Sequence, residues 1–270
     1  MTLTPDRLAD LDAFLIGLHA ASAEVILPLF RADHALEDKG GASGFDPVTA
    51  ADRGAEAAIR RLIAQRYPEH GVLGEEYGAD RADAEFVWVL DPVDGTRSFI
   101  AGSPLWTTLI GLRVAGQPVL GSIGQPYLGE LYIGGPEGSR LQWRGGTRPL
   151  KVRDCPLLTQ ATIGATEPDG YFNPAELGAW RQVRAAARVC RLGGDGYLFA
   201  MVALGSMDMV IESGLKPWDI EPVIPVITGA GGLVTDWRGG PVAADAGQVV
   251  VAGDRRCLDE ALVALRRSAA

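Results

Sequence analysis

Leu8, Leu11, Leu15 and Leu18 recur at intervals of three and four residues behind Thr4-Pro5-Asp6. That spacing lines one helical face. Threonine, proline and aspartate are an N-cap, a first-position proline and an early acid, so a helix is predicted over 5–30. A loop covers "EDKGGASGFDPV" (37–48). A second helix is expected from Thr49 to Gln65, with Ala57, Ile59, Leu62 and Ile63 on its apolar side. The period then changes. "FVWVL" (86–90) has no polar alternation and reads as a strand buried on both faces. Residues 106–116, 117–126 and 129–135 read as strands joined by Gly/Pro turns. Residues 135–156, rich in Gly, Pro and Arg, suggest a seam between halves 1–135 and 150–270 of one unit. Beyond it, strands are expected at 161–166, 207–213 and 248–253. Helices are expected at 174–188 and 196–205, from about 219, and from Arg255. Pro225 predicts a kink or a short first turn. The pattern is α/β, with helices and sheets in layers.

Composition narrows the partners. The chain has 270 residues, 47% of them hydrophobic, enough for a sizeable core. A formal net charge of −9 excludes a basic nucleic-acid surface. Cys155, Cys190 and Cys257 show no CxxC spacing, so neither zinc nor a disulfide framework is indicated, and a reducing cytoplasm fits. Acids interrupt the N-terminal apolar residues, unlike a secretory signal. No apolar run approaches the ~18 residues of a membrane span.

The acids carry the chemistry. Asp91 and Asp94 close the strand "FVWVL" around Pro92, and Gly95-Thr96 follow as a possible helix start. A D-P turn with an Asp cap is the ordinary explanation; two carboxylates converging on a cation is the other. Glu75 and Glu76 in "GVLGEEYG" read as a solvated loop or as ligands. Asp46, Thr49 and Asp52 in "DPVTAAD" read as a helix cap with an acid three residues on, or as site residues. Asp219, ahead of an apolar segment, reads as an N-cap or a ligand. Taken together, acids from separate element boundaries suit a hard divalent cation such as Mg²⁺. His19, His34 and His70 lack ligand spacing and read as ordinary helix or surface residues.

The ordered set "DPVTAAD", "GEE", "DPVDGT" and "WD" with "GAGG" resembles the inositol monophosphatase family of metal-dependent, lithium-sensitive phosphatases, over about residues 37–235. The resemblance implies an alternating α-β-α-β-α sandwich of the inositol monophosphatase / fructose-bisphosphatase type. It implies two or three Mg²⁺ per site, a small-molecule phosphate ester as substrate, and a homodimer. Glu75, Asp91 and the Val93 carbonyl match ligands of the first ion. Asp91, Asp94 and Asp219 match those of the second. The N-terminal half would thus hold most ligands and the C-terminal half Asp219. Gly95 and Thr96 resemble phosphate-contacting residues, and Asp52 with Thr96 resembles the pair that deprotonates the attacking water. Lys39 matches a loop lysine, although its spacer to Asp46 is two residues longer than the family's. The implied chemistry is in-line attack by an activated water without a phosphoenzyme.

Within the family, "GGDGY", "DMVIESGLKPWD" and the "SFIAG" after DGT are most similar to the histidinol-phosphatase branch. That branch hydrolyses L-histidinol phosphate in histidine biosynthesis. Gly194, Asp195 and Glu212 are the expected substrate-side residues. Asp195 stands where inositol phosphatases carry a threonine-like position, and two carboxylates suit a cationic alcohol. Gly196, where a larger residue is expected, and Trp218 for tyrosine depart from the branch. The alternatives are an inositol-1-phosphate or broad sugar monophosphatase and a 3′-phosphonucleotide phosphatase. A non-catalytic phosphate-binding protein is disfavoured by the intact acid set.

Overall fold

In the computed structural model, residues 3–32, 36–38 and 47–269 are described. The leucine stripe forms α1 (Pro5–Ile26), shorter than expected because residues 27–30 leave the helix as turns. Thr4 caps it, its hydroxyl accepting the Arg7 N–H at 3.3 Å. Where a loop is expected, β1 (Leu36–Asp38) and β2 (Pro47–Thr49) pair antiparallel. Lys39 and Asp46 lie outside the described residues. Next comes α2 (Ala50–Arg66).

The first sheet is built from β3 (Gly71–Gly74), β4 (Gly78–Asp80) and β5 (Phe86–Asp94). After the short α3 (Thr96–Ile100) come β6 (Thr107–Val114), β7 (Gln117–Gln125) and β8 (Glu130–Gly135). Then β9 (Gly138–Trp143) and β10 (Gly146–Pro149) occupy the segment expected to be a seam. They form a hairpin with Trp143 opposite Gly146, and Arg144 and Gly145 both take positive φ (50° and 77°). Two successive left-handed residues are what a two-residue hairpin needs. The exposed edge strand β10 has no buried face to imprint an apolar rhythm, so its composition resembles a loop. Strand order is β10-β9-β8-β7-β6-β5-β3-β4, with β3 and β5 parallel and the other neighbours antiparallel.

The second sheet alternates with helices. Its elements run β11 (Thr162–Ala165), α4 (Pro168–Tyr171), α5 (Pro174–Ala186), β12 (Val189–Leu192), α6 (Asp195–Ala203) and β13 (Met209–Leu215). They continue as α7 (Pro217–Ile220), α8 (Val223–Gly229), β14 (Leu233–Thr235), β15 (Gly247–Ala252) and α9 (Arg255–Leu265). Strand order is β12-β11-β13-β15-β14. The single helix expected from about 219 is two short ones. Pro222 precedes α8 and Pro225 falls in its first turn, where a missing N–H costs nothing.

Strand periodicity assigns the layers. Trp88, Leu90, Ile110 and Ile133 face α1 and α2. Leu109, Ile123 and Tyr132 point the other way, onto α6 and α8, which also meet Val210, Val249 and Val251 of the second sheet. Met209, Ile211 and Val250 face α5 and α9. The result is the alternating α-β-α-β-α sandwich.

One contact sets the separation between the first sheet and α7–α8. Gly111, Gly121 and Gly134 are cross-strand neighbours on β6, β7 and β8. A Cβ on Gly121 would lie 2.0 Å from the Pro222 carbonyl oxygen, and one on Gly134 2.3 Å from the Pro225 oxygen. Only glycine permits so close a backbone approach. Alongside, Arg113 of β6 holds Glu221 with two hydrogen bonds, one at 2.9 Å.

Candidate active site

Strand β5 ends in a bulge. Asp91 pairs with Leu109 and Asp94 with Thr107, so β5 spends one residue more than β6 over this stretch. Proline suits the irregularity because it has no ladder donor to lose. Its carbonyl accepts the Thr108 hydroxyl at 2.7 Å. The bulge re-aims the two aspartates. Asp94 Oδ2 accepts the Thr107 hydroxyl at 2.9 Å and the Gly196 N–H at 2.6 Å. Asp91 is 2% exposed, and its Oδ1 has no hydrogen-bond partner among the described residues. Asp219 is the third residue of α7 and not its N-cap; its Oδ2 accepts the Lys216 N–H at 2.7 Å. Asp94 does not cap either, since Gly95 precedes α3, in the left-handed region at φ 82°.

Asp91, Asp94 and Asp219 each offer an oxygen, all within 4.8 Å of one another. Burial pushes the Asp91 carboxyl well above the usual range, and the charges of Glu75, Asp94, Asp219 and Asp52 push it further. Asp94 is raised by burial, then by Asp195 and Asp219. Asp219 is raised to about 7, mainly by burial. Buried like charges this close are unfavourable together unless a cation compensates them. An all-oxygen donor set with one buried, unpartnered carboxylate oxygen fits a hard divalent ion.

The neighbouring residues frame this cluster. Thr96 opens α3, and its hydroxyl donates to the Val93 carbonyl at 3.1 Å. Asp52 is 1% exposed in the first turn of α2. The Glu75 N–H donates to the Leu90 carbonyl at 3.2 Å, tying the turn after β3 to β5. Glu76 is no solvated loop acid: its side chain is 2% exposed and lies 3.5 Å from Arg53.

On the substrate side, a cavity of about 320 Å³ is lined by Arg97, Ser98, Thr166, Glu167, Asp169 and Asp195, among others. Asp195 has φ 43°, accepts the Ser98 hydroxyl at 3.3 Å, and is raised by burial to about 6. A Cβ on Gly95 would meet Asp195 Oδ2 at 2.8 Å. Glu212 is buried on β13, accepts the Thr166 N–H at 2.7 Å and its hydroxyl at 2.8 Å, and is raised by burial to about 8. It stands behind Thr166 and does not line the cavity; Gly193 lines it, and Gly194 packs on Leu198. Gly196 has a local reason to be glycine: a Cβ there would sit 2.5 Å from Asp94 Oδ2.

Sequence reasoning overlooks several neighbours. Glu56 and Arg60 on α2, in the i,i+4 register with each other and with Asp52, are legible as a charged helix face. Thr107, Thr166 and Glu167 carry no local signal. Of the histidines, His19 is a residue of helix α1 as expected, whereas His70 is not at the surface. His19 and His70 are buried; His19 Nε2 lies 2.7 Å from the Ser122 hydroxyl, and His70 Nδ1 accepts the Trp88 indole N–H at 3.1 Å. Burial lowers them to about 3 and about 4, so both are neutral core residues. His34 lies outside the described residues. Among the described residues, no helix is long and apolar enough to cross a membrane.

Known proteins match this arrangement. The inositol monophosphatase family's sequence model covers residues 7–270. The chain is 42% identical to the bifunctional phosphatase IMPL2, chloroplastic, of Arabidopsis thaliana, over 97% of this chain and 78% of that protein. It is 38% identical to a histidinol-phosphatase of Chlorobaculum parvum, over 72% and 73%. An inositol monophosphatase from Zymomonas mobilis superposes with a TM-score of 0.84 at 37% identity, over 95% of this chain and 98% of that one. With its layered fold and partly buried acid cluster, the chain belongs to the inositol monophosphatase family of metal-dependent phosphatases.

Proposed function

We propose that this phosphatase is a Mg²⁺-dependent histidinol-phosphatase, releasing L-histidinol and phosphate from L-histidinol phosphate. The observation that carries the substrate is Asp195 in the wall of the cavity beside the metal cluster: its carboxylate accepts the Ser98 hydroxyl, while Glu167 and Asp169 alongside it pair with Arg97 and Arg181. Histidinol carries an ammonium group and an imidazole that titrates near neutrality. Inositol offers only hydroxyls. The Chlorobaculum parvum relative named a histidinol-phosphatase supports the same reading.

In this reading Glu75, Asp91, Asp94, Asp219 and the Val93 carbonyl hold the ions. Bound Mg²⁺ would supply charge neutralisation at the phosphate and the leaving alkoxide, and would lower the pKa of the attacking water. Asp52, with the Thr96 hydroxyl, orients that water and takes its proton. The Gly95 and Thr96 N–H groups contact phosphate oxygens. No thiol is needed: Cys155 and Cys257, the latter on α9, are buried in the second sheet's outer core, and burial pushes both thiols up.

A panel of histidinol phosphate, inositol-1-phosphate and a 3′-phosphoadenosine ester tests this. A charge-assisted hydrogen bond contributes roughly 1.5–3 kcal/mol, or about one to two powers of ten. Histidinol phosphate should lead in kcat/KM by at least that factor. Asp195→Asn should shrink the lead chiefly by weakening histidinol phosphate. Asparagine is the right probe because it tolerates the positive φ that a β-branched residue would not. Equal kcat/KM on the first two esters in the parent would instead favour a broad monophosphatase that also takes inositol-1-phosphate. The likeness to the Zymomonas mobilis inositol monophosphatase supports that second reading.

A further inference from the structure

Glu56 lies one helical turn beyond Asp52 on α2 and is fully buried. Its carboxylate reaches neither the acid cluster nor solvent. It faces the turn between β3 and β4, where the "GEEY" segment reverses direction. Oε2 accepts the Glu76 N–H at 2.8 Å and Oε1 accepts the Tyr77 N–H at 3.2 Å. Arg60, one turn further along α2, supplies the countercharge from Nε to Oε1 at 2.7 Å and donates from Nη2 to the Gly78 carbonyl. Gly74 completes the fit, because a Cβ there would lie 2.2 Å from Glu56 Oε1. Every residue from Gly74 to Gly78 except Glu75 is thus fixed by these two side chains, through backbone hydrogen bonds or direct packing. Glu75 is fixed from the other side by its N–H to Leu90.

We propose that Glu56, braced by Arg60, is a positioning residue that sets the Glu75 carboxylate for metal binding. The inference rests on the reading of Glu75 as a ligand. The physical case is the placement of the donors. A three-residue turn has no rigidity of its own, and its backbone N–H groups must be satisfied somewhere. Here they are satisfied by a buried, acceptor-only carboxylate anchored on a helix. That same helix carries Asp52 toward the cluster, so α2 holds the two functions at a fixed spacing. Ion pairing with Arg60 offsets the cost of burying the charge; losing either partner leaves the other uncompensated.

The test is Glu56→Gln, with Glu75→Gln as the control, in the full chain. Mn²⁺ binding to the metal-free protein is read by calorimetry, and turnover is titrated with Mg²⁺. Glutamine keeps the shape but turns an N–H₂ group toward backbone N–H donors. Glu56→Gln should weaken Mn²⁺ binding by about tenfold, the low end for a residue supporting a ligand. It should raise the Mg²⁺ needed for half-maximal rate by a similar factor. At saturating Mg²⁺, kcat and the KM for the phosphate ester should return to within about threefold of the parent. A lowered Tm with Mn²⁺ affinity unchanged would mean that Glu56 only stabilises the turn, and the proposal fails. If Glu75→Gln itself leaves Mn²⁺ binding intact, the ligand reading has failed and the proposal with it. If Glu75→Gln weakens binding and Glu56→Gln does not, the positioning role alone is wrong. Should Glu56→Gln not fold, Arg60→Lys keeps the charge but loses the fork to Gly78, and must shift Mn²⁺ affinity in the same direction.

Discussion

Asp91→Asn should remove turnover and, in the same protein, raise the melting temperature of the metal-free form near pH 7–8. The loss should exceed the roughly hundredfold that marks removal of an outer supporting partner, because Asp91 is proposed as a ligand to both ions. The thermal gain follows from linkage. Burial and four neighbouring acids raise the Asp91 pKa in the folded state above its ordinary value. The folded protein therefore holds the proton more tightly than the unfolded chain does. Its stabilising contribution is complete below the ordinary carboxylate pKa and is lost as pH rises through the raised one. Above that point an ionised Asp91 opposes folding, and asparagine does not. The variant's advantage should therefore shrink as pH falls toward about 4. Adding Mg²⁺ should stabilise the parent far more than the variant. Melts with EDTA and with Mg²⁺ across that pH range read all of this. A variant that melts lower in EDTA and still turns over would make Asp91 a turn residue.

Asp52→Asn should lower kcat by about 10²–10⁴-fold, the usual contribution of general-base assistance, with little change in KM. The competing role is an acid in the first turn of α2, where interaction with the helix dipole contributes about 0.3–1 kcal/mol. The two roles predict different measurements. Loss of a dipole partner moves the melting temperature and leaves kcat alone; loss of a base does the reverse. The 1% exposure of Asp52 favours the second outcome, since an acid serving only the helix dipole gains nothing from leaving water. Steady-state kinetics at saturating Mg²⁺ beside a thermal melt separates them.

The order of the elements and the positions of the acids were legible because they rest on local signals, whereas the order of the layers came from the family resemblance. The leucine stripe gave α1, the apolar run gave β5, and Pro92 marked the break after which Asp94 is redirected. What was illegible depends on partners distant in sequence. The β9–β10 hairpin sits where its exposed residues could vary without an apolar rhythm. Glu212 read as a companion of Asp195, but only the parallel pairing of β11 with β13 shows Thr166 standing between it and the cavity. Glu76 read as solvated because nothing nearby in sequence announces Arg53. The row Gly111, Gly121 and Gly134 is spread over three strands, so no window along the chain contains it.

That row also bears on how well the site holds its dimensions. Asp91 belongs to the sheet and Asp219 to the helix lying on it, so the gap between their carboxylates inherits the gap between those layers. Across most of a protein such a gap is filled by side chains that can change rotamer, and a neighbour's shift is absorbed as it passes. At Gly121 and Gly134 main chain rests on main chain, and there is nothing soft in between. An alanine in the row would act as a shim: it would push Pro222 and α8 outward and, through the short link back to Asp219 on α7, widen the carboxylate cluster from a strand that carries no ligand. The discrimination between ions of different radius is then a property of the core, and a larger cation such as Ca²⁺ should gain relative to Mg²⁺ in a Gly121→Ala protein.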